Sequence, residues 1–314
     1  MEQPLKSDVS QIRPLPPDLA AQYPFSRHFF TLPEGERMHY IDKGEGPVVV
    51  MLHGNPTWSW MYRNLVQTLS GSFRCIVPDH IGCGLSDKPQ DYPYTLSRHI
   101  RNVRLLLDKL GVGEFNLVAH DWGGAIGMGL AGRMQAGVGR IVLFNTAAFP
   151  SAEIPLRIAV CKVPYLGAFL IRGLNAFAGA AVHMAVVRPL APSVARGFLW
   201  PYRNWADRVA NHAFVRDIPL SEGHASHAEL KRVEAGLAGL SDKPTLLLWG
   251  MRDWCFTPAF LAQWRKRFPC AEVVEYPQAG HYLLEDEGAD AILRIGDFLR
   301  RDKLPHQSAP QVCK

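Results

Sequence analysis

The chain has 314 residues, of which 47% are hydrophobic and 20% are charged, and its formal net charge is +5. This composition is typical of a globular enzyme with a sizeable core, and it excludes a largely disordered or collagen-like chain. No run approaches the roughly 18 apolar residues of a transmembrane helix, and the first residues lack the basic and apolar parts of a signal peptide. We therefore expect a cytoplasmic protein without a transmembrane span.

Eight short apolar segments are predicted to form β-strands. They lie near residues 27–33, 37–42, 47–52, 74–78, 114–119, 139–144, 244–249 and 271–276. Helical patterns alternate with the later strands, which favours a parallel arrangement, and the first two strands suit an antiparallel hairpin. The sequence therefore predicts an α/β protein with a mostly parallel eight-stranded sheet that carries helices on both faces.

The strand near 47–52 ends at the turn His53-Gly54-Asn55-Pro56. We interpret this turn as part of an oxyanion hole, in which the backbone N–H of Asn55 or a neighbour acts together with that of Trp122. The Asn55 amide and the Trp122 indole also carry N–H donors that suit an anionic or electronegative leaving group. The alternative is an Asn that only forms the turn and a Trp that only packs in the core.

An aspartate follows the strand near 114–119, at the point where a helical pattern begins. Asp121 is flanked two residues away on each side by the small residues Ala119 and Gly123, as a tight strand-to-helix elbow requires. A carboxylate is anionic at neutral pH and can attack an electrophilic carbon without a base, so we predict a covalent ester at Asp121. An aspartate that only caps the helix is the alternative.

The segment 150–220 breaks the alternation of strands and helices and is predicted to be an inserted helical cap. The hydrolase core then comprises residues 1–149 and 221–302, and residues 303–314 form a flexible tail. The apolar cap should roof the site and line a hydrophobic tunnel. No Asp or Glu occurs between Glu153 and Asp207, and the basic excess of the cap equals the net charge of the chain.

The basic residues of the cap are compatible with several kinds of binding partner. It could face an acidic protein partner, an anionic lipid surface or an acidic substrate group, or it could be a solvated face of an ordinary cap. Nucleic acid is disfavoured because the rest of the chain is balanced in charge.

Two further side chains follow later strands. Asp253 comes just after the strand near 244–249, and His281 lies in the loop after the strand near 271–276. The carboxyl ends of parallel strands meet at one edge of the sheet, so Asp121, Asp253 and His281 should converge there. The order of nucleophile, acid and histidine is that of α/β-hydrolases, with His281 activating water and Asp253 orienting it.

No cofactor or metal site is predicted. The loop with Gly82 and Gly84 lacks the Lys and the following helix of a phosphate cradle, and the cysteines show no paired spacing. The sequence therefore points to catalysis by the side chains and backbone of the chain itself.

Four stretches together resemble the haloalkane dehalogenase branch of the α/β-hydrolases. They are HGNPTWS at 53–59, DWGG at 121–124, Asp253 after its strand, and AGHY at 279–282. The resemblance covers nearly all of residues 25–300. It implies that Asp121 is the nucleophile, that Asn55 and Trp122 bind the leaving group, and that Asp253 and His281 complete the site.

A closer resemblance is to the β-lactone decarboxylases of bacterial long-chain olefin biosynthesis. It rests on PDHIGCGLSDKP at 78–89, LFNTAAF at 143–149 and WGMRDWCF at 249–256. The resemblance implies that a long-chain cis-β-lactone is opened and decarboxylated to a cis-alkene and carbon dioxide. The apolar cap suits two alkyl chains, and the basic cap residues could dock acidic enzymes of a multi-enzyme assembly or contact a membrane peripherally.

Three alternatives accompany this interpretation. The first is haloalkane dehalogenation through the same aspartyl ester. The second is epoxide hydrolysis, for which Tyr165 and Tyr202 are the obvious cap acids. The third is a receptor or scaffold that uses the hydrolase fold without turnover.

Overall fold

The computed structural model describes residues 14–151 and 154–301. Eight strands form one sheet: β1 (His28–Thr31), β2 (Arg37–Lys43), β3 (Val48–Leu52), β4 (Arg74–Pro78), β5 (Phe115–Asp121), β6 (Val138–Thr146), β7 (Thr245–Gly250) and β8 (Glu272–Tyr276). Each lies at or within a few residues of a predicted strand. The tail predicted for residues 303–314 lies outside the described residues.

The sheet has the strand order β1-β2-β4-β3-β5-β6-β7-β8. The pairs β1–β2 and β2–β4 are antiparallel, and the remaining pairs are parallel. The order reverses at β3, whose neighbours are β4 on one side and β5 on the other. The predicted mostly parallel eight-stranded sheet with an initial hairpin is confirmed.

Helices cover both faces of this sheet, and further helices lie over its carboxyl edge. They are α1 (Pro17–Gln22), α2 (Arg63–Leu69), α3 (Leu96–Lys109), α4 (Trp122–Arg133), α5 (Leu156–Lys162), α6 (Leu166–Ala168), α7 (Ala178–Met184), α8 (Pro192–Leu199), α9 (Val209–Arg216), α10 (His227–Gly236), α11 (Pro258–Arg267), α12 (Leu283–Asp286) and α13 (Gly288–Arg300). The loop after β8 thus leads into two helices in succession, α12 and α13.

Alternate side chains of the central strands point to opposite faces, where they enter two separate cores. On β3, Val50 and Leu52 pack with residues of α3, α4 and α10, whereas Val49 and Met51 pack with residues of α1, α2 and α13. Because both faces are covered, β3 is apolar at every position rather than at every second one.

Short helices fill the chain between β6 and α10, where the sequence predicts the cap. Helices α5 to α9 occupy this stretch, together with a π-helical turn at Phe169–Gly173. No single helix in residues 14–151 and 154–301 is long and apolar enough to cross a membrane. Leu166–Gly173 and Ala178–Met184 meet that test only as a pair, and they are bent by 72°.

Helix α4 starts immediately after β5, and its first turn is pressed against β3. A Cβ atom on Gly123 would lie 2.0 Å from the backbone oxygen of Leu52. Such a contact cannot be relieved by a side-chain rotation, because the obstructing atom belongs to a central strand. The close approach of α4 to β3 therefore depends on the absence of a side chain at position 123.

We expect Gly123→Ala to lower the free energy of unfolding by about 1–3 kcal/mol, because the added methyl group overpacks this contact. Gly71→Ala is the matched control, since a Cβ atom there meets nothing within 4 Å, and it should change stability by less than about 0.5 kcal/mol. Urea unfolding of the two variants measures the difference. Equal stabilities would show that β3 and α4 move apart freely.

Candidate active site

Asp121 occupies a strained turn between β5 and α4. Its φ is +51° and its ψ is −131°, a region that non-glycine residues seldom adopt. Although Asp121 precedes α4, its side chain makes no capping hydrogen bond. The elbow instead presents the carboxylate to the carboxyl edge of the sheet, which disfavours the alternative of a simple helix cap.

A backbone N–H group of the turn after β3 holds the buried carboxylate of Asp121. The N–H of Asn55 donates to Oδ1 at 2.6 Å. Burial raises the pKa of Asp121, whereas the nearby His281 and the backbone N–H groups of Trp122 and Asn55 oppose that rise. The turn at 53–56 therefore supplies one of the two donors that the sequence predicts, but this N–H binds the aspartate itself.

Gly54 is the residue that allows this arrangement. A Cβ atom at position 54 would lie 1.9 Å from Oδ1 of Asp121. The close approach of the turn to the carboxylate therefore requires glycine, a role that the string HGNP alone does not reveal.

His281 lies between the two carboxylates that the sequence predicts around it. Its Nδ1 is 2.7 Å from Oδ2 of Asp253, and its Nε2 is 3.7 Å from Oδ2 of Asp121. Asp253 is held in turn by the N–H of Cys255, which donates to Oδ1 at 2.6 Å. Asp253 does not cap α11, because Thr257 stands at that position. The structure thus brings the three predicted side chains together.

The charges of this group determine how His281 titrates. Burial favours neutral imidazole, but the negative charges of Asp253 and Asp121 and the hydrogen bond to Asp253 outweigh it, so the pKa of His281 is raised. Protonated His281 and ionised Asp121 therefore stabilise each other across 3.7 Å. The distance exceeds that of a direct hydrogen bond.

Asn55 and Trp122 both line the cavity above Asp121. The amide nitrogen of Asn55 donates to the backbone oxygen of Asn211 in α9 at 3.1 Å. One amide hydrogen is thereby used to attach the cap, and the second remains for a ligand. Trp122 packs its ring against Phe214, with the ring centroids 5.4 Å apart.

Other polar side chains hold the backbone of the site in position through hydrogen bonds. The sequence analysis assigns them no role. His120 Nε2 donates to the backbone oxygen of His281 at 2.9 Å, and Thr146 Oγ1 donates to the backbone oxygen of Asp121 at 2.5 Å. Asn145 exchanges two hydrogen bonds with the backbone of Gly250. Their position next to or within the motifs was the only sign of this supporting role in the sequence.

Asp286 links the histidine loop to the cap. Its buried carboxylate accepts hydrogen bonds from the N–H groups of Gly280, Val187 and Arg188 at 2.8 to 3.0 Å. No motif marks this residue, because its partners are backbone groups from a distant segment. The position of His281 is therefore coupled to the fold of the cap.

A cavity of about 550 Å³ lies between the cap and the sheet edge. Polar side chains of the site line its floor, and most of the remaining lining is apolar. The lining from the cap and nearby loops includes Pro155, Ile158, Cys161, Phe177, Ala181, Met184, Val215, Ile218, Trp254 and Phe256. A cavity with an anionic floor and apolar walls fits an apolar small molecule with one reactive centre.

The two cap tyrosines proposed as acids of an epoxide hydrolase do not line this cavity. Tyr165 is 91% exposed, and buried Tyr202 donates to the backbone oxygen of Thr57. In the described part of the chain, no group of three or more His, Cys, Asp or Glu side chains could hold a metal ion.

We expect Asp253→Asn to lower the pKa of His281, because it removes the charge that raises this pKa while keeping an oxygen acceptor. A histidine with a raised folded-state pKa stabilises the fold below about pH 6.5 and loses this contribution as the pH rises through the folded value. NMR titration of the imidazole measures the shift. Asp290→Asn, at a remote exposed site, should leave it unchanged, and an unaltered titration in Asp253→Asn would contradict the assigned coupling.

The chain is similar in sequence to a known protein family and to individual proteins. Residues 47–288 match the family model described as alpha/beta hydrolase fold. The chain is 44% identical to a cis-3-alkyl-4-alkyloxetan-2-one decarboxylase from Shewanella oneidensis, over 88% of this chain and 89% of that protein. It is 42% identical to one from Xanthomonas campestris pv. campestris, over 90% of this chain and 98% of the relative.

A solved structure is similar along almost its whole length. It is haloalkane dehalogenase DbeA from Bradyrhizobium elkani, with a TM-score of 0.80 and 28% identity, and the match covers 88% of this chain and 97% of that one. The family match and these relatives agree with the sheet order and with the resemblance that the motifs indicate. The chain therefore belongs to the α/β-hydrolase fold family, in its haloalkane dehalogenase-like branch.

Proposed function

We propose that this protein opens long-chain cis-β-lactones and decarboxylates them to cis-alkenes and carbon dioxide. The observation that carries the proposal is the hydrogen bond from the backbone N–H of Asn55 to the buried carboxylate of Asp121, beneath an apolar cavity. The names of two relatives at 42% and 44% identity give the same substrate class, a cis-3-alkyl-4-alkyloxetan-2-one, which is a β-lactone.

The hydrogen bonds of Asp121 favour attack on the saturated ring carbon that bears oxygen, rather than on the ring carbonyl. Attack on a carbonyl needs donors for the new oxyanion. Here the N–H of Asn55, one of the predicted oxyanion donors, already binds the carboxylate of Asp121. Oδ2 of Asp121 then displaces the ring oxygen from carbon 4: the Oδ2–carbon bond forms, the ring carbon–oxygen bond breaks, and a free carboxylate appears on carbon 3.

The strained ring and two N–H donors assist this opening. The indole N–H of Trp122 and the free amide hydrogen of Asn55 are suited to bind the carboxylate as it forms, as the analogous donors would bind a halide. Binding the new charge in a water-poor cavity lowers the barrier more than the same contact would in water.

Decarboxylation can then release the aspartate without water. The bond between carbon 3 and the carboxylate breaks, and its electron pair forms the double bond while the Oδ2–carbon bond breaks. Carbon dioxide leaves and the carboxylate of Asp121 is restored, so no proton or water is consumed. Inversion at carbon 4 followed by anti elimination converts a cis-lactone to a cis-alkene.

His281 and Asp253 serve this reaction through charge. Protonated His281 lies next to Oδ2 of Asp121 and stabilises the carboxylate that departs in the second step. In the hydrolysis of an alkyl halide, neutral His281 would instead activate water for attack on the ester. The same three side chains therefore serve either reaction.

Haloalkane dehalogenation is the second candidate function, since the pair Asn55 and Trp122 also suits a halide. Epoxide hydrolysis is disfavoured by the positions of Tyr165 and Tyr202 outside the cavity. A multi-enzyme assembly and a cytoplasmic location stay predictions from the sequence.

The function is tested by incubating the purified protein separately with a long-chain cis-β-lactone, a 1-bromoalkane and an epoxide. We expect alkene from the lactone, little bromide and no diol. Asp121→Asn should reduce alkene formation by about four orders of magnitude or more, with an unfolding free energy close to that of the wild type. Rapid bromide release without alkene would replace this proposal with the second candidate.

The water-free release is tested by a single turnover of the lactone in H₂¹⁸O, followed by mass measurement of the peptide that contains Asp121. We expect no label in Asp121, because its carboxylate is restored by elimination, whereas ester hydrolysis would introduce one oxygen. His281→Gln should accumulate an alkyl ester with the bromoalkane but still form alkene from the lactone. Alkene formation with label in Asp121 would contradict the elimination route.

A further inference from the structure

The exposed apolar side chains of this protein are concentrated on the cap. Of ten exposed large hydrophobic side chains in the described residues, eight lie between positions 156 and 205. We refer to these eight as the apolar cap patch: Leu156, Val160, Val163, Tyr165, Leu166, Phe169, Leu174 and Trp205. Clusters of this kind mark interaction surfaces, whereas single exposed hydrophobic residues are ordinary.

The patch lies on the outer side of the roof of the cavity. Leu156 and Val160 are one turn apart on α5, exposed Val163 follows the end of this helix, and Leu156 is 79% exposed. Ile158 and Cys161, on the other side of α5, line the cavity. Helix α5 therefore carries apolar side chains both on the side that lines the cavity and on the side that faces solvent.

The aromatic members of the patch are close together. A Cβ atom on Gly173 would lie 3.5 Å from the ring of Phe169 and 3.7 Å from the ring of Trp205. The guanidinium carbon of Arg172 lies 4.6 Å from the centroid of the Trp205 ring. An arginine stacked on an exposed indole keeps its charge at the edge of the patch.

The charge around the patch has one dominant sign. Within residues 14–151 and 154–301, Arg157, Lys162 and Arg172 form no ion pair with a carboxylate. Arg157 also lines the cavity and lies over the ring of Trp254, 5.5 Å from its centroid. Apolar side chains flanked by basic ones beside the cavity are complementary to an anionic interface with an apolar interior.

We propose that the apolar cap patch docks on an anionic lipid surface and that substrate enters the cavity from the lipid beside α5. This inference rests on the proposed function, because a lactone with two long alkyl chains partitions into lipid rather than water. Pro155 and Arg157 line the cavity on either side of exposed Leu156. A substrate leaving the lipid near α5 would therefore have a short path to the cavity.

The test is flotation of the full chain with vesicles, without substrate. One set contains phosphatidylethanolamine and phosphatidylglycerol, and the other contains phosphatidylcholine alone. We expect binding to the anionic vesicles, weaker binding to the neutral ones, and partial release when the salt concentration rises from about 0.05 M to about 0.5 M.

Matched variants locate the surface. Leu156→Gln and Phe169→Gln should each weaken binding to both vesicle types by about tenfold. Arg172→Gln should weaken binding to the anionic vesicles by about fivefold. Leu293→Gln is the control, because Leu293 is 62% exposed on α13 and lies outside the patch, and it should bind like the wild type. Unfolding free energies check that each variant is folded.

The outcomes distinguish failure of the docking inference from failure of the proposed function. Absence of vesicle binding, or equal effects of Leu156→Gln and Leu293→Gln, would overturn the inference. Self-association that Leu156→Gln abolishes, without vesicle binding, would overturn it in favour of a protein interface. Leu156→Gln should retain the wild-type rate on lactone dispersed in detergent micelles. Vesicle binding by a protein that fails to decarboxylate the lactone would overturn the proposed function and leave the docking surface standing.

Discussion

The buried carboxylate of Asp121 is the constraint on which the rest of the site depends. A charge removed from water is costly unless hydrogen bonds and opposite charge replace the solvent. The N–H of Asn55 provides a hydrogen bond, and His281 provides the opposite charge. Because these partners come from separate segments, the turn after β3, the elbow after β5 and the loop after β8 must meet at one point. Glycine at position 54 is needed for that meeting.

The cap is tied to the same point by polar contacts. Asn55 donates to Asn211 in α9, and Asp286 binds the backbone on both sides of the boundary between the histidine loop and the cap. These contacts are buried, so each unsatisfied partner would carry a desolvation cost. Movement of the cap would therefore disturb the site, and the cap helps to define the geometry of the carboxylates as well as the shape of the cavity.

The proposed chemistry follows from what the donors bind. In a serine hydrolase, the oxyanion donors are free to bind the carbonyl oxygen of the substrate. Here the N–H of Asn55 binds Asp121, the proposed nucleophile, and leaves its other oxygen to attack a saturated carbon. A halide or a ring carboxylate can leave from such a carbon, and only the ring carboxylate also carries a group whose loss restores the aspartate. Dehalogenation and lactone decarboxylation thus differ in whether water must complete the cycle, while the aspartate serves both.

The sequence by itself determined the strands and the mostly parallel sheet, because these depend on local patterns. Asn55, Asp121, Asp253 and His281 lie at or shortly after strand ends, so a parallel sheet brings them to one edge; their roles in the reaction stay predictions. Tertiary structure alone decided which atoms each residue binds. The sequence could not reveal that the N–H of Asn55 is taken by Asp121, or that Tyr165 and Tyr202 lie outside the cavity. It could not reveal Asp286 or His120 as supports either, because backbone groups distant in sequence are their partners. Such contacts depend on how segments pack in three dimensions, and no local pattern of residues encodes that packing.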